Sequence, residues 1–380
     1  MSPEPKTTER IVIIDDNARD AAIVRRMLER SGFHVHYAAS GEEGLGIIHR
    51  EPPDAVLVDY RMPGLDGYEV CRRIKSDPAT QNIPVLMLTG ADSARTLVEG
   101  LESGADDYVT KAADFEIILA RVRALLRVKA YQDELRGHNQ RLQSDLQFAR
   151  RVQEALLPQH DFRARHAEIR SAYIPSETLS GDFYDFFEAD GTLFLLIADV
   201  SGHGLPAAIL VSLLKSFFHS EVAESSPAEF MDRLNDFLST ASLPSQFATA
   251  QLFRLDSAGR RMQFATAAHP PFVLYRPARD EVLSPEIPGH LLGMVTGARF
   301  EQHELELEPG DLLFCYTDGL TDRRTATGEF YSIDRIVGIL REKARATSDE
   351  IYEAIMSDVT SFSPTEEFRD DVAFTLTRIS

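Results

Sequence analysis

Short apolar runs alternate with amphipathic stretches from Ile11 to about residue 125, and this rhythm restricts the fold more than any other feature of the chain. The strand-like runs are IVII (11–14), FHVHY (33–37), AVLV (55–58), PVLML (84–88) and DYV (107–109). Helix-like stretches lie between and after them, near 18–30, 41–50, 67–76, 93–103 and 114–128. Such a succession of βα units predicts a parallel, doubly wound α/β sheet with helices on both faces. In sheets of this kind function gathers at the carboxyl ends of the strands. Polar residues stand at those ends: Asp15 and Asp16 after the first run, Asp59 after the third, Thr89 after the fourth, and Lys111 just past the fifth. Taken singly, each is an ordinary polar strand end. Converging together, the three carboxylates repel one another unless a hard divalent cation and Lys111 neutralise them.

This first third of the chain resembles the receiver domain of bacterial response regulators. The matching residues are IDD (14–16), DYRMPGLDG (59–67), LTG (88–90) and DYVTK (107–111). The resemblance implies that Asp59 is the phosphoryl acceptor and that Asp15 and Asp16 join it in holding Mg²⁺. It implies that Lys111 pairs with the phosphoryl group and that Thr89 and Tyr108 form a conformational switch. A histidine kinase or a phosphotransfer protein is the implied donor. One residue departs from the pattern: proline usually follows this lysine, and here Ala112 does. A cis peptide without proline is expensive, so the loop after Lys111 is open to a different arrangement.

From about 114 to 157 there is no strand signal, and no proline occurs until Pro158. Alternating steps of three and four pick out Leu125, Val128, Gln132, Leu135, Asn139, Leu142, Leu146, Ala149, Gln153 and Leu156. Asn139 at an a position with Leu135 and Leu142 at d favours a parallel two-stranded coiled coil in one register, hence a homodimer. Gln132, Gly137 and Gln153 weaken that seam. A marginal seam suits a relay, because a small free-energy change shifts its pairing. A single amphipathic helix packed on its own chain is the alternative. The expected organisation is therefore residues 1–125, a helical coiled-coil linker over 126–157, and a second domain over 158–380.

Beyond Pro158 the pattern changes. Strand-like runs are TLFLLIADV (192–200), FATAQLFRL (247–255), RMQFATAA (261–268), PFVLY (271–275), DLLFCYTD (311–318) and DVAFTLTRI (371–379). Amphipathic helices lie near 205–222, 227–241, 334–343 and 348–361. Groups of strands separated by helices predict an α+β domain built on antiparallel sheet. Acids adjoin the strands in SGDFYDFF (Asp182, Asp185), IADVSG (Asp199), CYTDGL (Asp318) and RDDVAF (Asp370, Asp371). An acid at the mouth of an apolar strand is solvated, paired or bound to a metal. No cysteine/histidine cluster with zinc spacing occurs, so an implied metal is oxygen-loving, Mg²⁺ or Mn²⁺. Several carboxylates can hold two such ions for in-line hydrolysis of a phosphate ester.

This domain resembles the metal-dependent serine/threonine phosphatases of the protein phosphatase 2C superfamily, in their bacterial sporulation and stress-response branch. The motifs occur in order: RVQEALLP (151–158), SGDFYDFF (180–187), IADVSGHGLPAA (197–208), ATAAHPPF (265–272), CYTDGLTD (315–322) and RDDVAF (369–374). The resemblance implies an antiparallel sandwich with two Mn²⁺ or Mg²⁺ ions held by Asp182, Asp199, Asp318 and Asp370. Asp199 is then the bridging ligand, the Val200 carbonyl adds another, and Asp371 is the non-ligating neighbour. His203 is a candidate general acid or a structural turn histidine, and His269 reads as structural. Ser180 and Ala268 stand where the family commonly has glycine.

The implied function is a phosphorylation-regulated protein phosphatase acting on phosphoserine or phosphothreonine of an anti-sigma-factor antagonist. The alternative is a catalytically weak, phosphatase-like adaptor for a sigma factor or its regulator. A formal charge of −20 opposes nucleic acid and anionic membrane, and no basic recognition helix is found. No apolar run approaches the roughly 18 residues of a span, and two distant cysteines suit a reducing, cytoplasmic setting.

Overall fold

The computed structural model describes residues 9–90, 104–241, 246–256, 258, 260–363 and 368–380. The chain divides into two compact units, Met1–Leu142 and Gln143–Ser380.

In the first unit the order is β1 (Arg10–Ile14), α1 (Ala18–Arg30), β2 (His34–Ala38), α2 (Gly41–Arg50), β3 (Ala55–Asp59), α3 (Gly67–Ser76), β4 (Val85–Thr89), β5 (Asp107–Thr110) and α4 (Phe115–Leu156). The expected helix at 93–103 lies outside the described residues. The five strands form one parallel sheet in the order β2-β1-β3-β4-β5. Alternation along β1 sends Ile11 and Ile13 to one apolar layer with α1 and the start of α4. Val12 and Ile14 go to the other, with α2 and α3. Helix starts follow local chemistry: Asn17, Ser40 and Asp66 each accept a backbone N–H of the first turn. The doubly wound reading of the sequence holds.

Helix α4 is continuous over 42 residues. Its heptad stripe is exposed only in the middle, at Val128 (53%), Leu135 (62%) and Leu142 (59%). The ends are used within the chain. Leu125 packs into the receiver core, and Gln153 is buried in the second unit, clamped to the backbone of Ser180. The sequence reading of Gln153 as a weak seam residue is corrected: its amide meets a backbone N–H and C=O that nothing apolar would satisfy.

The second unit runs β6 (Asp161–Ala164), β7 (Ala167–Ile174), β8 (Asp182–Ala189), β9 (Thr192–Val200), α5 (Leu205–Glu221), α6 (Pro227–Ala241), β10 (Ala248–Leu255), β11 (Arg261–Ala267), β12 (Val273–Arg276), β13 (Glu281–Leu283), β14 (His303–Glu306), β15 (Leu312–Tyr316), α7 (Asp318–Thr321), α8 (Ile333–Glu342), α9 (Ser348–Phe362) and β16 (Val372–Ile379). Two antiparallel sheets result, β14-β11-β10-β9-β8 and β13-β12-β15-β16-β7-β6. Tyr184, Leu195, Ile197 and Phe253 of the first meet Ile169, Leu313 and Cys315 of the second in one inter-sheet core. Helices α5 and α6 cover the outer face of the first sheet, and α8 and α9 that of the second. The stretch Leu205–Glu224 has the length and composition of a membrane span, which corrects the expectation that no apolar run reaches that length. Its Ala207, Leu210, Val211, Leu214 and Phe218 are buried against the sheet.

Strand β7 escaped the sequence reading because Arg170 interrupts it. That arginine is buried and forms a forked pair with Asp349 at the start of α9. The run at 311–318 also stops short of expectation: the strand ends at Tyr316 and Asp318 opens a helix.

Candidate functional site

At the carboxyl edge of the receiver sheet, Asp15 and Asp59 are buried and Asp16 is exposed. One carboxylate oxygen from each lies within 4.8 Å of the others. Lys111 Nζ donates to Asp15 Oδ2 at 2.7 Å and lies 2.8 Å from Asp59 Oδ2. Burial lifts the Asp59 carboxyl above its ordinary range, and Asp15 adds to this while Lys111 opposes it. Burial works against the Lys111 charge, but its bonds to Asp15 and Asp59 outweigh that and raise its pKa. Three acids against one ammonium leave an excess of negative charge suited to a hard cation with oxygen ligands. Thr89 is buried at the end of β4, where its carbonyl accepts the Lys111 N–H at 2.7 Å, whereas Tyr108 is 37% exposed. No cis peptide occurs among the described residues, so the chain passes from Lys111 to Ala112 in trans.

In the second unit, both sheets deliver acids to one end of the sandwich. Asp182 and Asp199 face each other directly across the β8–β9 pair. Asp318 begins α7 after β15, and Asp370 and Asp371 immediately precede β16. Asp199 is pushed up to about 7, first by burial and then by the charges of Asp318, Asp370 and Asp371. Burial, then Asp199, pushes Asp182 well up. Asp318 and Asp370 reach the surface, yet partial desolvation raises both, with Asp370 adding to Asp318 and Asp371 to Asp370. The acids therefore share one neighbourhood and raise one another's pKa. Unlike the receiver trio, they do not bring three ligand oxygens within 4.8 Å among the described residues.

Two glycines permit the arrangement. A Cβ on Gly181 would stand 2.4 Å from the Val200 carbonyl oxygen, and one on Gly319 would stand 1.9 Å from that of Asp371. Neither position admits a side chain without backbone movement.

The neighbours of the acids sort their roles. Thr317 Oγ1 donates to Asp182 Oδ2 at 2.6 Å and accepts the Ala373 N–H at 2.9 Å, tying β15 to β8 and β16. Asp371 accepts from Ser176 N, Ser176 Oγ and Gly181 N, so it secures the loop before β8. Asp370 stays exposed beside it. Asp185 lies apart from the cluster, bonded to Lys215 at 2.6 Å and His219 at 2.8 Å on α5. Thr317, Ser176 and Gln153 were not singled out as contributors by the sequence, although Thr317 and Gln153 lie inside the motifs CYTDGLTD and RVQEALLP.

His203 is exposed, with Nδ1 3.0 Å from Glu177 Oε2. Ser180 is buried; its hydroxyl accepts the Asp182 N–H at 3.0 Å. Ala268 has φ of +50°, a left-handed conformation natural to glycine and strained for alanine. His269 is buried with Nδ1 hydrogen-bonded to Thr249 Oγ1 at 2.7 Å, and Thr249 is the cross-strand partner of Asp199. Burial pushes its imidazole down from 6.5 to about 3, against a weaker pull from the Tyr316 carbonyl. The unfolded chain thus takes this proton below pH 6.5 while the folded one resists. The stability contribution is complete above pH 6.5 and is lost as pH falls toward 3. His269→Gln is expected to flatten the loss of unfolding free energy between pH 6.5 and 4 by on the order of 3 kcal/mol, read from urea titrations. An unchanged slope would reject this account of His269.

Comparison with known proteins agrees with both halves. The family profile of stage II sporulation protein E (SpoIIE) matches residues 189–380, about half the chain, and that of the response regulator receiver domain matches residues 11–123. The response regulator PleD of Caulobacter vibrioides is 41% identical over 127 residues, covering 33% of this chain and 28% of PleD. The DNA-binding dual master transcriptional regulator RpaA of a Synechocystis strain is 44% identical over 118 residues, covering 31% of this chain and 49% of RpaA. The chain thus spans about half or less of these relatives. The solved SiaA-PP2C domain of Pseudomonas aeruginosa shares the fold of the second unit, with a TM-score of 0.56 and 22% identity over 64% of this chain and 99% of that one. With its motifs, its sandwich and its acids in place, the chain belongs to the stage II sporulation protein E family, with a response regulator receiver domain preceding the region that matches that family.

Proposed function

We propose that the chain is a protein serine/threonine phosphatase governed by phosphorylation of its receiver. The observation that carries this reading is the meeting of Asp182, Asp199, Asp318 and Asp370 at one end of the sandwich, where burial and mutual repulsion raise Asp182 and Asp199. The donor set fits a hard divalent ion: carboxylate oxygens, plus the Val200 carbonyl beside a glycine that leaves it room. Asp182, Asp199, Asp318, Asp370 and Val200 would hold two Mn²⁺ or Mg²⁺, and Asp15, Asp16 and Asp59 one Mg²⁺. Ions held there would supply positive charge near the phosphoryl oxygens and lower the pKa of an attacking water. The chain's own share is positional: Thr317 fixes Asp182, Asp371 fixes the preceding loop, and Asp199 stands between the two sheets' contributions.

The phosphodonor is a histidine kinase or phosphotransfer protein, with Asp59 as acceptor and Thr89, Tyr108 and Lys111 transmitting its state. Phosphorylation acts through α4, whose exposed leucines at 135 and 142 pair two copies. A monomer in light scattering of the full chain, with and without donor, would remove that pairing. The substrate is a phosphorylated anti-sigma-factor antagonist of a partner-switching pathway in the cytoplasm, with no part for nucleic acid or membrane. Hydrolysis of such an antagonist should require Mn²⁺ or Mg²⁺ and respond to acetyl phosphate. No turnover with either metal rejects the enzyme reading.

A further inference from the structure

One cavity adjoins the acid cluster and shares Asp370 with it. It holds about 180 Å³ and is walled by Arg323, Arg324, Phe368, Arg369, Asp322 and Asp370, among others. Ligand pockets for whole cofactors or metabolites run to about 300–1,000 Å³, so this one suits a single side chain. Its lining carries three guanidinium groups and two carboxylates, in a chain whose formal charge is −20. One of those carboxylates, Asp370, is committed to metal in the proposed enzyme. The cavity is then a cationic spot on an acidic protein, at the edge of the reacting centre.

Two of the arginines are held in place. Arg323 is buried, stacks over the Phe368 ring at 3.9 Å and donates to the Ser363 carbonyl at 2.9 Å. Arg324 lies exposed, with its guanidinium 4.2 Å above the centre of the Phe330 ring. A backbone bridge between Arg324 and Phe330 fixes that pair. Stacking restrains the guanidinium plane while leaving its N–H edge for a planar anion, the geometry that a carboxylate matches with two parallel hydrogen bonds.

We infer that this cavity is a specificity subsite for an acidic side chain of the protein substrate next to the phosphorylated residue, with Arg324 as its main contact. The inference rests on the phosphatase reading and adds a substrate class to it: phosphorylated segments flanked by Glu or Asp. Lysine in place of Arg324 keeps the charge but loses the fork, and glutamine loses both.

The test uses the full-length protein with Mn²⁺ and two phosphoserine peptides, one with Glu on both sides of the phosphoserine and one with Gln. The wild type is expected to show a KM about tenfold lower for the Glu peptide, the scale of a hydrogen bond to a charged group. Arg324→Gln should bring the ratio of the two KM values to about one, and Arg324→Lys should restore part of it. A wild-type ratio already near one, or a ratio unchanged in Arg324→Gln, overturns the subsite. So does a loss on para-nitrophenyl phosphate as large as on the Glu peptide, since Arg324 would then act on the reacting phosphoryl group. Fluorescence anisotropy of the unphosphorylated peptides separates the two readings. If no phosphoester is turned over, the phosphatase reading fails by itself. Glu-selective binding that Arg324→Gln abolishes still supports the subsite, and its absence overturns it.

Discussion

Asp199→Asn is expected to lower kcat on any phosphoester by at least about 1,000-fold, or about 4 kcal/mol of barrier, while the protein stays folded. Asp199 lies directly opposite Asp182 on the neighbouring strand and is raised to about 7 by burial and by three acids from the other sheet. In the proposed enzyme Asp199 bridges both ions, with Asp182 beside it on its own sheet and Asp318 and Asp370 from the other, so its loss would disrupt both ion sites at once. Asparagine keeps the shape and removes a charge that is poorly compensated without metal, so folding is not harmed. A thermal readout accompanies the kinetic one. Mn²⁺ at 100 times its dissociation constant is expected to stabilise the wild type by about 2.7 kcal/mol, and this gain should shrink sharply in the variant. Retained turnover in purified Asp199→Asn protein would reject the metal assignment. A Mn²⁺ shift equal to that of the wild type would do the same.

Asp59→Ala is expected to abolish the response to acetyl phosphate, leaving the ratio of rates with and without donor at about one. The proposed acceptor is the buried carboxylate 2.8 Å from Lys111 Nζ, and burial is the first cause of its raised pKa. Removing it takes away a charge that the fold disfavours, so the melting temperature of the metal-free protein should not fall. Lys111 retains Asp15 at 2.7 Å and stays in place. The effect is therefore on signalling alone. A donor response as large as that of the wild type would show that control enters elsewhere.

Much of both sites is written in local sequence because the signals are local. In β1 the alternation of Ile11, Val12, Ile13 and Ile14 fixes two buried faces within one strand, and Asp15 follows at its end. The acids Asp182, Asp199, Asp318 and Asp370 each adjoin an apolar run that any reader can find. Where long-range partners decide, the sequence misleads. Arg170 looks like a break in a strand, because its counter-charge Asp349 is 179 positions away. Gln153 looks like a flaw in a coiled coil, because the Ser180 backbone it satisfies is 27 positions on.

By itself the sequence determined the two fold classes, the continuous helix between them and the acids at the strand ends, since periodicity and turn chemistry act over a few residues. Only the tertiary structure decided what the other acid of each close pair is bonded to. Asp185 goes to Lys215 and His219, and Asp371 goes to the backbone of Ser176 and Gly181, while Asp182 and Asp370 remain at the cluster. Those outcomes depend on strand registers and loop contacts between segments up to 195 positions apart. A carboxylate's fate is set by the donors that folding brings within about 3 Å of it, and no local pattern encodes them.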